Sequence, residues 1–260
     1  MLENISNVMV TGKSGAGKQP RIDVLIDEFN LEQLSTGDIF RHYLGTFNKY
    51  GYKDDLSVFY NKESQQFISD GKISEKIGTD DEDIILGLKA KYFVDQGLFG
   101  PDSITNALLD SAFSKKQYEK QVLDGYPRTL NQAEFLINLL KEKGSKLDLI
   151  VLVENNDERI IKRTVQRRIC PKCGKVYHLT YKPPIDGKCE KCEVDVIQRS
   201  DDTEEKIQSR LKEFTKKTIP ALEYLKKQGI PVVTVPGHLE EFTTENVRKS
   251  VLIEIEKLDK

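Results

Sequence analysis

The sequence predicts an α/β fold, a parallel β-sheet flanked by helices, and three observations carry that prediction. Short apolar runs, Val8-Met9-Val10, Val122-Leu123, Leu149 to Val153 and Val232 to Val235, recur between longer amphipathic stretches. That pattern belongs to buried parallel strands joined by helical crossovers. The first run leads straight into a glycine-rich loop, Gly12 to Lys18. The chain has 260 residues, 38% of them apolar, which is enough for one large domain or two smaller ones around a packed core.

Taken in order, the strand Val8 to Val10 is followed by Gly12-Lys13-Ser14-Gly15-Ala16-Gly17-Lys18, the first seven positions of the phosphate-loop pattern G-x-x-x-x-G-K-[ST]. Such glycines let successive backbone N–H groups curl around a polyphosphate, and the next helix N-terminus adds a favourable field. Lys18 is then placed to reach the β- and γ-oxygens, and the context predicts a P-loop NTPase-type sheet. The eighth position departs from the pattern. Gln19 stands where a Ser or Thr hydroxyl approaches magnesium, and Pro20 after it has no N–H to offer, though proline is tolerated in a first helical turn.

Residues Thr46 to Asp83 break the alternation. They are rich in Lys, Asp, Tyr and Ser, carry no strong strand signal and end in Asp80-Asp81-Glu82-Asp83, so they are expected to form an insertion. Within it, Gln66 to Gly71 resembles Tyr92 to Gly97, each reading as a helical face stopped by a glycine. Farther on, Ile207, Leu211, Phe214, Thr218, Leu222 and Leu225 follow a helical spacing that Pro220 is expected to kink or divide.

All four cysteines lie in one segment, Cys170-x2-Cys173-x15-Cys189-x2-Cys192, with Pro183-Pro184 and Gly187 between the pairs. Paired thiolates at this spacing fit a tetrahedral zinc site in a small turn-rich knob, and four thiolates leave the metal no open position, so its role is expected to be structural. A disulfide framework is the rival reading. The first residues form no signal peptide, and with the phosphate loop this favours a reducing, cytosolic setting.

Arg163, Arg167 and Arg168 precede the knob, and Arg199 and Arg210 follow it. Guanidinium groups suit phosphate oxygens bidentately, and phosphoryl transfer needs charge stabilisation more than proton chemistry. A solvated basic helix face paired with Asp157 and Glu158 is the plainer alternative. Asp124-Gly125-Tyr126-Pro127-Arg128-Thr129 sets an acid at a strand end, where it can hold magnesium through water, with an arginine beyond it. The three histidines, His42, His178 and His238, show no spacing with a nucleophile. With 40 basic against 42 acidic residues the formal net charge is −2, which removes the electrostatic case for nucleic acid or membrane surfaces as partners.

These blocks, together with Ser35-Thr36-Gly37-Asp38 and Arg41, Gly97 to Asp102, Gln132, and Gln198 to Asp202, resemble in one order the adenylate kinase family of nucleoside monophosphate kinases, in the form with a zinc-binding lid. The resemblance implies a core of 1–35, 104–166 and 204–260, a monophosphate-binding domain at 36–103 carrying the insertion, and a lid at 167–203. It implies reversible transfer from ATP to AMP giving two ADP, with magnesium accompanying the nucleotide and zinc in the lid. AMP would be held by Thr36, Arg41, Gly125, Tyr126, Pro127, Arg128 and Gln132, with Leu98, Phe99 and Gly100 lining the site and Gln132 reading the adenine edge. Gly15, Ala16, Gly17, Lys18, Gln19 and Pro20 would cradle ATP, beneath Arg163 and Arg167 and close to Val176 and Tyr177. Arg199 and Arg210 would meet the transferred group, completing a catalytic set with Lys18, Asp124, Arg128 and Arg167.

The family usually has Gly-Thr at Gln19-Pro20, proline at Ser14 and phenylalanine at Tyr126. Its members imply a monomer, with the insertion a candidate oligomer contact. Two other readings stay open at this point: a monophosphate kinase of broader nucleotide range, and a nucleotide-binding regulator that has lost turnover.

Overall fold

The computed structural model describes residues 5–95, 100–180, 182–199 and 202–259. Five parallel strands form the central sheet: β1 (Asn7–Thr11), β2 (Glu32–Ser35), β5 (Gln121–Asp124), β6 (Leu149–Glu154) and β9 (Val232–Pro236), in the spatial order β2-β5-β1-β6-β9. Strand alternation sends neighbouring side chains to opposite faces and so makes two cores. On one face Met9, Leu123 and Ile150 pack with α5 (Asp102–Ser114), α6 (Leu130–Glu142) and α9 (Ile219–Lys227). On the other, Val8, Val10, Val122, Leu149, Val151 and Val153 meet α1 (Gln19–Phe29), α7 (Asp157–Val165), α8 (Glu204–Glu213) and α10 (Thr244–Glu256).

Helix starts follow ordinary capping chemistry. The Thr129 hydroxyl accepts from Gln132 N at 3.2 Å ahead of α6, and Asn156, Thr203 and Thr243 cap α7, α8 and α10 in the same way. The expected division near Pro220 is present. A π-turn, Phe214–Thr218, separates α8 from α9, since proline has no N–H to continue the ladder.

The four sequence-predicted strands are β1, β5, β6 and β9. The fifth, β2, has the sequence Glu-Gln-Leu-Ser, with a single buried side chain, Leu34; it lies at the sheet edge and pairs only with β5. It therefore lacks the apolar run that marks its neighbours.

The region 46–83 is built, not merely appended. Helix α2 (Thr36–Tyr50) runs into it and stops at Gly51; a 3-10 turn (Leu56–Phe59), the hairpin β3 (Tyr60–Asn61) and β4 (Gln66–Phe67), and α3 (Asp70–Ile77) lead to α4 (Glu82–Asp95). Phe47, Phe59, Ile73, Ile77, Ile84, Ile85 and Leu88 give it an apolar cluster of its own. Tyr60, Phe67, Tyr92 and Phe93 stack with centroids 4.7 to 6.0 Å apart. Two expectations need correction here. Two short strands exist where no strong strand signal was read, and Gly71 is not a helix stop. Ser69 and Asp70 open α3 just before it, and the stop is Gly78, in the left-handed conformation at φ 78°. Gly97 lies outside the described residues. Helices α2 and α4 pack backbone to backbone at Gly87, where a Cβ would fall 2.3 Å from the Tyr43 carbonyl oxygen.

The second small sheet is the antiparallel pair β7 (Arg167–Ile169) and β8 (Val176–His178), at the base of the cysteine segment.

Candidate active site

The carboxyl ends of the parallel strands converge. In register, Val10 lies beside Asp124, Asp124 beside Ser35, and Glu154 beside Pro236, so the loops that follow β1, β2, β5 and β9 share one edge of the sheet. Open parallel sheets bind ligands at this edge. The glycine-rich loop curls there because it must: Gly17 has φ +104°, and a Cβ on it would lie 2.8 Å from the Gly237 carbonyl oxygen after β9.

Lys18 is the last residue of that loop, half-buried, with its Nζ donating to the carbonyl oxygens of Gly12 at 3.2 Å and Lys13 at 3.4 Å. Burial pushes its ammonium down to about 8; Arg128, Arg167 and Arg210 press in the same direction, and Asp124 alone among its named neighbours opposes them. Three guanidinium groups from three separate elements thus act on one lysine through space. Like charges so gathered call for a polyanion between them.

Each arginine is aimed by a specific contact. Asp202, fully buried, accepts Arg167 Nε at 2.8 Å and Nη2 at 2.5 Å, and Arg210 Nη2 at 3.4 Å. Arg128 is held by its Nε donating to the Gly125 carbonyl oxygen at 2.7 Å, while its own carbonyl accepts the Thr218 hydroxyl at 3.2 Å from the π-turn. Arg199 begins the turn that presents Asp202, whose N–H donates to the Arg199 carbonyl at 3.0 Å. Arg163 leans over Gly17, its Nη2 3.3 Å from where a Cβ would stand. Arg41 stands apart from the cluster, exposed on α2 and paired with Asp38 at 2.5 Å.

The candidate acceptor residues lie around β5. Gly125, at φ +75°, leaves room where a side chain would meet Arg128 Nη2 at 2.7 Å and Thr36 Oγ1 at 2.8 Å. Thr36 is buried, its hydroxyl within 3.2 Å of the Gly125 carbonyl oxygen. Gln132 is also buried and fully engaged: its Nε2 donates to Asp102 at 2.7 Å and its Oε1 accepts from Arg128 N at 2.8 Å. Reading a base edge requires it to exchange the Asp102 contact. Tyr126, with Pro127 after it, packs inward and is buried, and its hydroxyl donates to Asn106 Oδ1 at 2.7 Å, with the carbonyl oxygen of buried Gln132 at 3.2 Å. Gly100 precedes α5, while Leu98 and Phe99 lie outside the described residues.

Gln19 and Pro20 form the first turn of α1, so the missing N–H falls where a helix has no use for it. Gln19 is exposed and pairs with Gln33 of β2 at 2.9 Å. Val176 is exposed, whereas Tyr177 turns into the cysteine knob and packs on Cys170 and Cys189. Only its backbone remains for a nucleotide.

A family model described as adenylate kinase matches residues 58–230. The chain belongs to the adenylate kinase family. The adenylate kinase of Caldanaerobacter subterraneus subsp. tengcongensis is 33% identical over 248 residues, covering 94% of this chain and 96% of its own. That of Thermoanaerobacter sp. strain X514 is 34% identical over 94% of this chain and 97% of its own, and that of Clostridium kluyveri 34% identical over 88% and 90%.

For this adenylate kinase family member the cysteine geometry suits zinc. The four Sγ atoms lie within 4.8 Å of one another, with Cys173 and Cys189 at 3.7 Å, near the roughly 3.8 Å edge of a tetrahedron with Zn–S of about 2.3 Å. Both cysteine pairs turn alike: Gly174 N donates to the Cys170 carbonyl at 2.9 Å and Glu193 N to that of Cys189 at 2.8 Å. The Tyr177 hydroxyl donates to Cys189 Sγ at 3.3 Å, which favours its thiolate. For magnesium the structure offers the Asp124 carboxylate beside the phosphate loop, a single protein ligand of the kind such ions take alongside phosphates. No helix among the described residues is long and apolar enough to cross a membrane.

Sequence reasoning missed Arg21, Gln33 and Thr218. Arg21 is completely buried and reaches the carbonyl oxygens of Gly17 at 3.3 Å and Pro236 at 2.5 Å, with its Cζ 5.5 Å from the Phe242 ring. Burial first, and Arg163 second, push it down to about 10. A charge buried in the first turn of a helix leaves no periodic signal.

Proposed function

We propose that the chain transfers the terminal phosphoryl group of ATP to AMP, reversibly, giving two molecules of ADP. The observation that carries this reading is that Arg128, Arg167 and Arg210 all act electrostatically on Lys18 at the carboxyl edge of the sheet, opposed by Asp124. Four cationic groups and one carboxylate fit a polyphosphate and its cation, and no side chain among them is arranged to form a covalent phospho-intermediate.

In this reading the segment 36–103 is the acceptor arm, 167–203 the lid, and the remainder the core. ATP lies over Gly15 to Lys18, with Arg163 at its base and the backbone of Val176 and Tyr177 at the lid edge. AMP lies against Thr36, Gly125, Arg128 and Gln132, and Arg41 extends from α2 toward its phosphate. When bound, magnesium supplies charge neutralisation at the phosphates, and Asp124 is the residue that would hold it. Arg167 and Arg210, fixed to one buried carboxylate, arrive together; Arg199 enters from the same turn. Transfer is direct and in line, because two bound nucleotides with aligned phosphates need only positioning and charge stabilisation. Lid closure excludes the water that would otherwise take the phosphoryl group. The cysteine site ties β7 to the segment carrying Arg199, so zinc would hold the lid's two halves together.

The test is ADP formation from ATP, AMP and magnesium, with GTP, CTP and UTP in parallel. ATP-dependent turnover that falls by ~10³-fold or more in Arg128→Ala supports the assignment. Turnover undiminished in that variant removes Arg128 from the catalytic set, and no turnover in folded, zinc-loaded protein overturns the kinase reading.

A further inference from the structure

The phosphate loop of this chain ends in Gln19-Pro20, without the hydroxyl that the loop pattern places beside the cation. The structure fills that place with a chain of side chains. Gln19 Nε2 donates to Asp23 Oδ1 at 2.9 Å, one turn along α1, and to Gln33 Oε1 at 2.9 Å across the gap to β2. Gln33 Nε2 answers toward Gln19 Oε1 at 3.2 Å and reaches Asp124 Oδ2 at 3.1 Å. Two amides thus lie in line between two carboxylates, one on the helix that begins at the phosphate loop and one at the end of β5.

The direction of this chain matters. Asp23 fixes the Gln19 amide, the reciprocal amide pair fixes Gln33, and Gln33 occupies one oxygen of Asp124. The other oxygen, Oδ1, has no hydrogen-bond partner among the described residues. The Asp124 carboxylate is therefore oriented but not used up, beside the lysine at the end of the phosphate loop. Orientation is what a cation with strict octahedral demands requires of its one protein carboxylate.

We infer that Gln19 is a positioning residue for the divalent cation. Acting through Gln33, it holds Asp124 in its metal-facing orientation and restores the link between phosphate loop and cation that the loss of the hydroxyl removes. The inference rests on the proposed kinase reading for the nucleotide and the cation that accompanies it, while the side-chain relay itself is read from the structure.

Two measurements on the full zinc-loaded chain test it. One is Mn²⁺ binding to the ADP complex, followed by electron paramagnetic resonance, which reads the cation without turnover. The other is the magnesium concentration for half-maximal ADP formation at saturating nucleotides. Gln19→Ala is expected to weaken Mn²⁺ and raise the half-saturating magnesium by about three- to tenfold, the range of one neutral hydrogen bond. The KM for AMP is expected to stay unchanged. Gln33→Ala is expected to do the same, and the double variant to do no more than Gln33→Ala alone, because both act along one chain. Unchanged Mn²⁺ affinity in a folded Gln19→Ala variant, or additive losses in the double variant, overturns the relay. If the wild-type chain forms no ADP while Gln19→Ala still weakens Mn²⁺, the relay stands and the kinase reading falls.

Discussion

Donor binding is expected to weaken steeply above pH 8, for a reason lodged in one side chain. Lys18 is pushed from its ordinary value near 10.5 down to about 8, by burial and by Arg128, Arg167 and Arg210. At pH 9 about 90% of it is neutral in the free protein, where an ordinary lysine is about 3% neutral. A bound polyphosphate sets negative charge against the ammonium and raises it again, so nucleotide must bring a proton with it. The expected result is close to one proton taken up per nucleotide at pH 9, little at pH 7, and an affinity about tenfold lower at the higher pH. Calorimetry with a non-hydrolysable ATP analogue and magnesium, in two buffers of different ionisation enthalpy, measures the uptake directly. Lys18→Arg keeps the charge at both pH values and is expected to abolish the uptake. Equal uptake in wild type and variant, with flat affinity between pH 7 and 9, would refute the account of Lys18. In the nucleotide-free chain the sign for folding follows from the same shift. Between about 8 and 10.5 the unfolded state holds a proton that the folded state has lost, so this group makes the protein more stable as pH rises through that window.

Gly125→Ala should raise the KM for AMP at least tenfold while sparing ATP affinity, because its Cβ would collide with Arg128 and Thr36 at 2.7 and 2.8 Å; equal effects on both nucleotides would argue against the acceptor assignment. Asp202→Asn removes the buried partner of Arg167 and Arg210 and is expected to lower kcat by about a hundredfold together with a clear loss of thermal stability, about 3 kcal/mol for a broken buried pair; a variant with normal kcat would show that those arginines need no such anchor. Glu193 occupies the left-handed position, φ 56°, that Gly174 takes in the matching cysteine turn, so Glu193→Gly should stabilise the knob by about 0.5–1 kcal/mol, read as a rise in the zinc-loaded melting temperature. Stripping zinc with a chelator is expected to lower that temperature and the turnover together, and no change in either would leave the cysteine site without a structural role.

The parts of the molecule most legible in the sequence are those whose residues have few alternatives. A parallel strand inside the sheet must be largely apolar, which made β1, β5 and β6 readable, and edge strand β9 was readable because Val232, Val233 and Val235 keep an apolar run. A glycine loop ending in lysine, and cysteines paired at a spacing of three, carry their chemistry in the residue types themselves. Edge strand β2 escaped because one charged and two polar residues beside Leu34 suffice where a single neighbour completes the ladder. Hairpin β3-β4 escaped for a related reason: its strands have two residues each, and their stability comes from aromatic packing on α4 instead of local alternation. Within the candidate site, long-range partners were the hidden part. Gln33 acquires a role only when β2 is laid beside β5, and Tyr177, grouped by resemblance with the donor nucleotide, spends its side chain on the cysteines.

The contact at Gly87 bears on how the acceptor arm can be watched. At Gly87 the α4 backbone is seated against the Tyr43 carbonyl, with Phe47 one turn on, so at that point no side chain stands between the two backbones to absorb a displacement. The helix carrying Arg41 and the aromatic insertion are therefore expected to move as one lever, long at the insertion end. The chain contains no tryptophan, so a single indole placed at Tyr52, against Phe47 and Phe59, would report the swing of that lever without background from any other tryptophan.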